Sequence, residues 1–462
     1  MTLAPKAVVV LGLARQGLAL VRFFAERGTR VTVSDSRTED ELGTAIAELT
    51  DLNVDYALGA HPLSLLDDCD LLCLSGGVPA DLPLVQEAQR RGIPISNDAQ
   101  EFLVRCGAPV VGITGSAGKT TTTTLVGRML EASGCRTWVG GNIGNPLINE
   151  LGNIEITDRV VMELSSFQLE LMGVSPGVAG VLNITPNHLD RHKTMAAYIA
   201  AKRNIVAHQD ATDIAVLGYD EPNARAMRAA TSASVRYFSG VQEVEQGAFL
   251  RDDRLILRNP SGESSVVTRD AIRLRGYHNV MNVLAAITLA DAAGASLDGM
   301  RSAISAFEGV PHRLEVVRSL HGVVWVNDSI ATAPERVLAA LDAFDEPLVL
   351  LAGGRDKDLP WQRFAERVVE RVRVLILFGE AAPLIQGKVA EALRVARGFA
   401  GAVTLEDVVM AETLQNAVQS AAARARDGEV VLLSPGGTSF DAFQDFAERG
   451  SRFREWVRLL AE

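Results

Sequence analysis

Residues 112–121 read Gly-Ile-Thr-Gly-Ser-Ala-Gly-Lys-Thr-Thr, between an apolar run and a helical pattern. Such a segment commits the chain to a strand–loop–helix unit. Its glycines let backbone N–H groups converge on phosphate oxygens at a helix N-terminus. Lys119 then reaches the terminal phosphates of a nucleoside triphosphate, and the Thr120 hydroxyl is placed to ligate Mg²⁺. The common pattern G-x-x-x-x-G-K-[ST] wants glycine at 113, where the chain has Ile113; the turn glycine is Gly115 instead. The loop is a variant, and taken alone an ordinary glycine-rich turn stays open as a reading.

The rest of the chain repeats the same architecture. Ala7–Leu11 is an apolar strand signal followed by Gly12-Leu13-Ala14-Arg15-Gln16-Gly17 and a helical pattern, then a strand ending in Ser34-Asp35-Ser36-Arg37. This is a βαβ unit with an acid about twenty positions past the first glycine. Ala14 replaces the middle glycine of a dinucleotide fingerprint, which weakens a nicotinamide-type reading, although the helix N-terminus still favours an anion. Strands at Val110–Thr114, Arg159–Met162, Gly177–Leu182, Val323–Val326, Pro347–Leu351 and Val430–Leu433 each end in a polar loop. Strands alternating with helices, with polar strand C-termini, describe doubly wound sheets with ligand crevices. With 462 residues, the length suits about three domains. The expected fold class is α/β in three domains. Residues 1–107 form a Rossmann-like domain, 108–309 a central mononucleotide-binding domain, and 310–462 a second Rossmann-like domain. Cys106-Gly107-Ala108-Pro109 reads as the first linker, and residues 235–270 as a small antiparallel insertion.

Composition excludes several function classes. The net charge of −12, without a Lys/Arg run, argues against a nucleic-acid partner. No apolar run reaches membrane-spanning length. Cys69, Cys73, Cys106 and Cys135 lack zinc spacing and read as reduced thiols. The N-terminus shows no signal peptide, so a cytoplasmic location is expected; the chain is also expected to be a monomer.

Five further positions bear on chemistry. Glu163 ends the strand one βα unit past the phosphate loop, either as a solvated strand end or as a carboxylate for Mg²⁺. His188 ends the next strand and should open on the same crevice, yet Mg²⁺ rarely takes imidazole. Lys202 shares a helix face with Tyr198 and Ile205, so it either snorkels or has a depressed pKa. Asn279 and Asn282 begin an alanine-rich helix, as a cap or as readers of an adenine edge.

Together these residues resemble the Mur ligases, ATP-dependent amide-forming enzymes of peptidoglycan synthesis, over nearly the whole chain. Carrying the resemblance are Thr114–Thr121, Glu163, His188, Lys202, His278-Asn279…Asn282, His312-Arg313 and Asn327-Asp328-Ser329. More specific are Glu163-Leu164-Ser165-Ser166-Phe167-Gln168-Leu169-Glu170 and Ser434-Pro435-Gly436-Gly437-Thr438-Ser439-Phe440-Asp441. The resemblance implies that Gly115, Ser116, Ala117, Gly118, Lys119, Thr120 and Thr121 hold the ATP phosphates. It implies a first Mg²⁺ on Thr120 and Glu163, and a second served by His188 and a carbamylated Lys202. Asn282, Arg313 and Asp328 would contact ATP; Thr332, Lys357, Ser439 and Phe446 would surround an incoming glutamate. Arg15, Gln16, Asp35, Ser36, Arg37 and Gly77 would flank the UDP group of a UDP-N-acetylmuramoyl-L-alanine substrate, with Asn142 further in.

Two positions depart from the family pattern. The lysine usual after Asn-Asp-Ser is Ile330, and the usual Ser-Pro-Gly is Ser75-Gly76-Gly77. The first opens the choice between D- and L-glutamate. The implied chemistry is attack of the substrate carboxylate on the γ-phosphate, giving an acyl phosphate that the glutamate amine then opens. Lys119 and Mg²⁺ neutralise the charge that would repel the attacking anion, and closure of the third domain excludes water. The rivals are a non-catalytic nucleotide switch on the same fold and a dinucleotide oxidoreductase.

Overall fold

The structure, a computed structural model, describes residues 5–357, 359–398 and 403–461. Continuous apolar runs make strands that are buried on both faces, which suits parallel sheets covered by helices. The first sheet is parallel throughout, in the order β3-β2-β1-β4-β5: β1 (Ala7–Leu11), β2 (Arg30–Asp35), β3 (Val54–Leu58), β4 (Leu71–Leu74) and β5 (Ile95–Ser96).

The second sheet has nine strands: β6 (Val110–Thr114), β7 (Thr137–Gly141), β8 (Arg159–Glu163), β9 (Val178–Val181), β10 (Ile214–Gly218), β11 (Ser234–Ser239), β12 (Gly247–Arg251), β13 (Arg254–Asn259) and β14 (Gly262–Thr268). Their order is β14-β13-β12-β11-β10-β9-β6-β8-β7. The residues read as a separate antiparallel insertion instead extend this sheet: β11 pairs parallel to β10, β12 parallel to β11, and only β12–β13–β14 run antiparallel. Their short polar look comes from lying at the sheet's outer edge, where one face meets solvent.

The order reverses at β6, which lies between β8 and β9; a doubly wound sheet opens its ligand crevice at such a point. The register sets Ile113 opposite Glu163 and Thr114 opposite Val181, so three strand ends meet at the phosphate loop.

The third sheet, β15 (Glu315–Leu320), β16 (Val323–Asn327), β17 (Leu348–Gly353), β18 (Val372–Phe378), β19 (Asp407–Met410) and β20 (Val430–Gly436), runs β15-β16-β20-β17-β18-β19. Only the β15–β16 pair is antiparallel. Alternation along β17 feeds two cores: Leu348, Leu350 and Ala352 pack on one face, Val349 and Leu351 on the other.

The chain divides into two compact units at Phe307/Glu308, with Leu274–Gly276 belonging to the second. The first unit holds the first two sheets, and one apolar cluster runs through both, from Val10 and Phe102 to Leu147 and Met172. Within the segment read as a linker, Ala108 is buried in that cluster. The four cysteines are free thiols, and no helix among the described residues is long and apolar enough to cross a membrane.

Candidate active site

Gly118 sits at φ +84°, the left-handed region, and caps the helix Lys119–Ala132. A Cβ there would lie 2.2 Å from Asn282 Oδ1, so only glycine lets the loop approach the helix Tyr277–Ala292. That helix begins two residues before Asn279. Asn279 therefore lies inside the first turn rather than capping it, and its Oδ1 accepts from Asn282 Nδ2 at 3.0 Å. The loop is braced from the end of β9: Asn183 Oδ1 accepts from Ala117 N at 2.9 Å, and Ser116 Oγ donates to Thr185 O at 2.9 Å.

The Thr120 hydroxyl donates to Glu163 Oε2 at 2.8 Å, and Asn142 Nδ2 donates to Glu163 Oε1 at 2.8 Å. Glu163 is buried, so the strand-end reading that left it in solvent is excluded. A hydroxyl and a carboxylate side by side are the hard oxygen donors that Mg²⁺ prefers. Among the described residues no three His, Cys, Asp or Glu cluster to hold a metal. An ion on Thr120 and Glu163 would complete its shell from phosphate and water, which is the habit of Mg²⁺.

Lys202 does not snorkel. The helix Met195–Ala207, capped by Thr194, buries it with Tyr198 and Ile205. Its Nζ donates to Thr114 Oγ1 at 3.1 Å and to Gly115 O at 3.0 Å. Lys119 Nζ donates to the same carbonyl at 2.9 Å. Two ammonium groups on one acceptor repel, and burial adds to the effect. Burial first, then the Lys119 charge, push the Lys202 amine well below its usual range, against an opposing pull from Glu163.

His188 is exposed and left-handed at φ 53°, and its ring meets Phe167 edge-on at 5.2 Å. From Phe167 the contacts run inward: His192 stacks on Phe167 at 5.3 Å, Tyr198 lies 5.2 Å from His192, and Lys202 Nζ is 4.9 Å from the Tyr198 ring. His192, passed over in the sequence, is the buried histidine of this pair, with Nε2 2.9 Å from Ser166 Oγ. Its spacing of one turn from His188 was the available signal.

At the first sheet, Arg15 donates to Gly144 O at 2.6 Å and to Asn142 O at 3.1 Å. Gln16 Oε1 accepts from Gly76 N at 2.9 Å. Asp35 accepts from Leu13 N at 2.8 Å and from Arg37 Nη2 at 2.7 Å. Burial raises its carboxyl, but the Arg37 side chain and the N–H groups of Leu13 and Arg37 outweigh that and hold it at about 2. Ser36 and Arg37 are exposed beside it. Arg191, another residue not singled out in sequence, donates to Gly77 O at 3.1 Å and Val78 O at 2.6 Å and stacks over Phe167 at 4.9 Å.

In the second unit, Asp328 is buried and accepts from Ser434 Oγ at 2.8 Å and Leu314 N at 3.2 Å. Burial pushes its carboxyl up to about 7, against the pull of Ser434, Leu314 N–H, Arg313 and Arg336. Ser329 Oγ donates to the carbonyl of Phe446, and Ser439 is buried. Thr332 and Arg313 are half-buried, and Lys357 is exposed. Arg449, fully buried, donates to Ser329 Oγ at 2.9 Å and Gly437 O at 3.1 Å, fastening the loop after β16 to the loop after β20. Helical spacing with Phe446, Phe453 and Val457 marked its face as buried.

A phosphate loop alone serves kinases, switches and ligases alike. Here it sits on the second of three α/β sheets in chain order, and the strands of the first and third also end in polar loops, a set of parts that suits an enzyme joining two molecules at the expense of a nucleotide. The class is that of three-domain nucleotide-dependent ligases. Family models match in the same order: "Mur ligase MurD-like, N-terminal domain" over residues 6–97, "Mur ligase middle domain" over 113–290, and "Mur ligase, glutamate ligase domain" over 312–437. The chain belongs to the Mur ligase family.

It is 44% identical over 454 residues to the UDP-N-acetylmuramoylalanine--D-glutamate ligase of Symbiobacterium thermophilum, covering 98% of each chain. The enzyme of that name from Geotalea uraniireducens is 42% identical over 464 residues, covering 100% of this chain and 99% of the other. Among solved structures, UDP-N-acetylmuramate-alanine ligase MurC from Thermotoga maritima shares the fold at TM-score 0.56 and 19% identity, over 98% and 99% of the chains. MurF from Acinetobacter baumannii does so at TM-score 0.57 and 16% identity, over 97% and 93%.

Proposed function

We propose that the chain joins D-glutamate to UDP-N-acetylmuramoyl-L-alanine at the expense of ATP, in the cytoplasm, as a monomeric step of peptidoglycan synthesis. The observation that carries the reading is one run of hydrogen bonds. Arg15 holds the carbonyl of Asn142, Asn142 holds Glu163, and Thr120 of the phosphate loop donates to Glu163. A substrate held at the strand ends of the first sheet is thereby in register with the phosphate loop. Whole-chain similarity to D-glutamate ligases supports the substrate pair.

Arg15, Gln16, Asp35, Ser36, Arg37 and Gly77 bind the UDP end, and Asn142 lies beside the reacting end. Gly115–Thr121 hold the ATP phosphates, while Asn282, Arg313 and Asp328 bind the rest of the nucleotide. The substrate carboxylate attacks the γ-phosphorus; the bond to the β–γ bridging oxygen breaks, leaving ADP and an acyl phosphate. Lys119 neutralises the phosphate charge that would repel the attacking anion. The glutamate amine, placed by Thr332, Lys357, Ser439 and Phe446, attacks the carbonyl carbon, loses a proton, and phosphate leaves. Mg²⁺, when bound, supplies charge at the phosphate oxygens. Thr120 and Glu163 would hold one ion, and His188 with a carbamylated Lys202 a second. The neutral Lys202 amine adds to CO₂ and releases a proton, which gives that position the oxygens a lysine lacks and lifts the repulsion at Gly115 O.

Phosphate release is measured with ATP, Mg²⁺, bicarbonate and UDP-N-acetylmuramoyl-L-alanine, adding D- or L-glutamate in parallel. Release dependent on D-glutamate is expected. Release with the L-enantiomer alone would overturn the stereochemistry, and release with neither would overturn the ligase reading in favour of a nucleotide switch.

A further inference from the structure

Directly after β4 the chain turns through Ser75–Val78. Val78 N donates to Ser75 O at 2.9 Å, which puts Gly76 and Gly77 at the two central positions. Adjacent glycines make a loose turn, because each has extra backbone freedom to lose on folding. A proline at the first central position, the usual residue of the family pattern, presets φ and carries no N–H in need of an acceptor. Gly76 has neither property. It also lies outside the left-handed region, so its backbone conformation does not require glycine.

Gln16 supplies what the glycine lacks. It is the second residue of the helix Arg15–Ala25, it is buried, and its Oε1 accepts from Gly76 N at 2.9 Å. A Cβ at position 76 would lie 2.1 Å from that oxygen, so this glutamine rotamer and a side chain at 76 exclude each other. Arg191 holds the other half of the turn through Gly77 O at 3.1 Å and Val78 O at 2.6 Å. Side chains from two helices therefore fix three successive residues of the turn, and Gly77 between them stays exposed.

We propose that Gln16 is a positioning residue for the UDP-linked substrate: it sets the Ser75–Val78 turn, and with it Gly77, as a proline at position 76 would. This rests on the ligase reading above, in which Gly77 lies beside the UDP group. It accounts for Ser75-Gly76-Gly77 in place of Ser-Pro-Gly, because only glycine at 76 leaves room for the Gln16 amide and offers it an N–H.

The experiment compares wild type, Gln16→Met, Gln16→Ser, Gly76→Pro and the double variant Gln16→Ser/Gly76→Pro. KM is measured for the UDP-linked substrate, ATP and glutamate separately, with melting temperature as a folding control. Gln16→Met keeps the side-chain length and removes the acceptor, so KM for the UDP-linked substrate should rise about five-fold, the loss expected of one hydrogen bond. The KM values for ATP and glutamate should stay within about two-fold. Gly76→Pro alone should be at least as damaging, because it removes the donor and displaces Gln16. In the double variant the proline has room and stiffens the turn, so KM for the UDP-linked substrate should return to within about two-fold of wild type, a strongly non-additive pair. An unchanged KM for that substrate in Gln16→Met, a rise shared by all three substrates, or a folded double variant no better than Gln16→Ser overturns the assignment. Where a proline variant does not fold, Gln16→Met decides alone. A wild type without turnover overturns the ligase reading and this inference together; a wild type that turns over while Gln16→Met matches it overturns this inference alone.

Discussion

Gly115 O accepts from both Lys119 and Lys202, and this shared acceptor determines what Lys202 can be. With both amines charged, the buried one costs stability. Its folded pKa lies below its unfolded value, so the folded state binds fewer protons between the two. The cost is complete below the folded pKa and fades as pH rises toward the unfolded value. A neutral amine or a carbamate avoids it. Lys202→Ala is therefore expected to abolish turnover while melting no lower than wild type at neutral pH, and short-chain carboxylic acids added to this variant should restore part of the activity. Loss of turnover without any rescue would argue for a purely structural lysine. Asp98 shows the opposite sign. It is buried, touching Gln168 Nε2 at 3.3 Å, and burial raises its carboxyl to about 6 against that contact. The folded state here binds more protons than the unfolded one between the ordinary aspartate value of 3.8 and about 6, so stability falls as pH rises through that window. Asp98→Asn should stabilise the protein at pH 8 by up to about 3 kcal/mol, from a shift of about two units, and much less at pH 4. Urea unfolding at the two pH values checks this; equal effects at both would refute it.

Arg191 is the clearest link at the scale of elements. It projects from the short helix Leu189–His192 onto the carbonyls of Gly77 and Val78, beyond β4, while its guanidinium covers Phe167. Phe167 in turn touches His188 and His192. Arg191→Ala should raise KM for the UDP-linked substrate several-fold while leaving that for glutamate within about two-fold, since it removes two hydrogen bonds to one loop; Arg191→Lys should recover part. An equal rise in both KM values would mean general loosening instead. None of this was legible beforehand, because a backbone carbonyl bonded across two sheets leaves no mark in local sequence. What was legible followed from strand ends. Tyr198 with Lys202 depends on spacing along a single helix, and Glu163 on its place at the end of the strand one βα unit past the phosphate loop; such spacing is what a sequence displays. Residues 235–270 misled for the same reason: their local pattern is antiparallel, but their attachment to β10 through β11 depends on partners far along the chain. Arg449 was not read in the sequence: helical spacing with Phe446, Phe453 and Val457 was the available signal, while its bonds to Ser329 and Gly437 left none.

For the whole molecule, the division into two units separates the proposed ligand contacts. Arg15, Asn142, the phosphate loop, Glu163, Lys202 and Asn282 all belong to the first unit; Arg313, Asp328, Thr332 and Lys357 belong to the second. Each unit has its own apolar cores, and chains with separate cores often melt in more than one step. Binding raises the stability only of the part that binds, by an amount set by ligand concentration over Kd. Calorimetry should therefore resolve two transitions. UDP, whose proposed contacts all lie in the first unit, should raise one of them and leave the other in place; at a hundred-fold excess over Kd the stabilisation is about 2.7 kcal/mol. A non-hydrolysable ATP analogue with Mg²⁺ should raise both, because Asn282 is in one unit and Arg313 and Asp328 are in the other. If the analogue moves only the transition that UDP moves, Arg313 and Asp328 do not bind the nucleotide, and their part in the proposed mechanism falls. Arg313→Ala separates the cases further: it should remove the analogue's effect on the second transition while leaving the UDP shift intact.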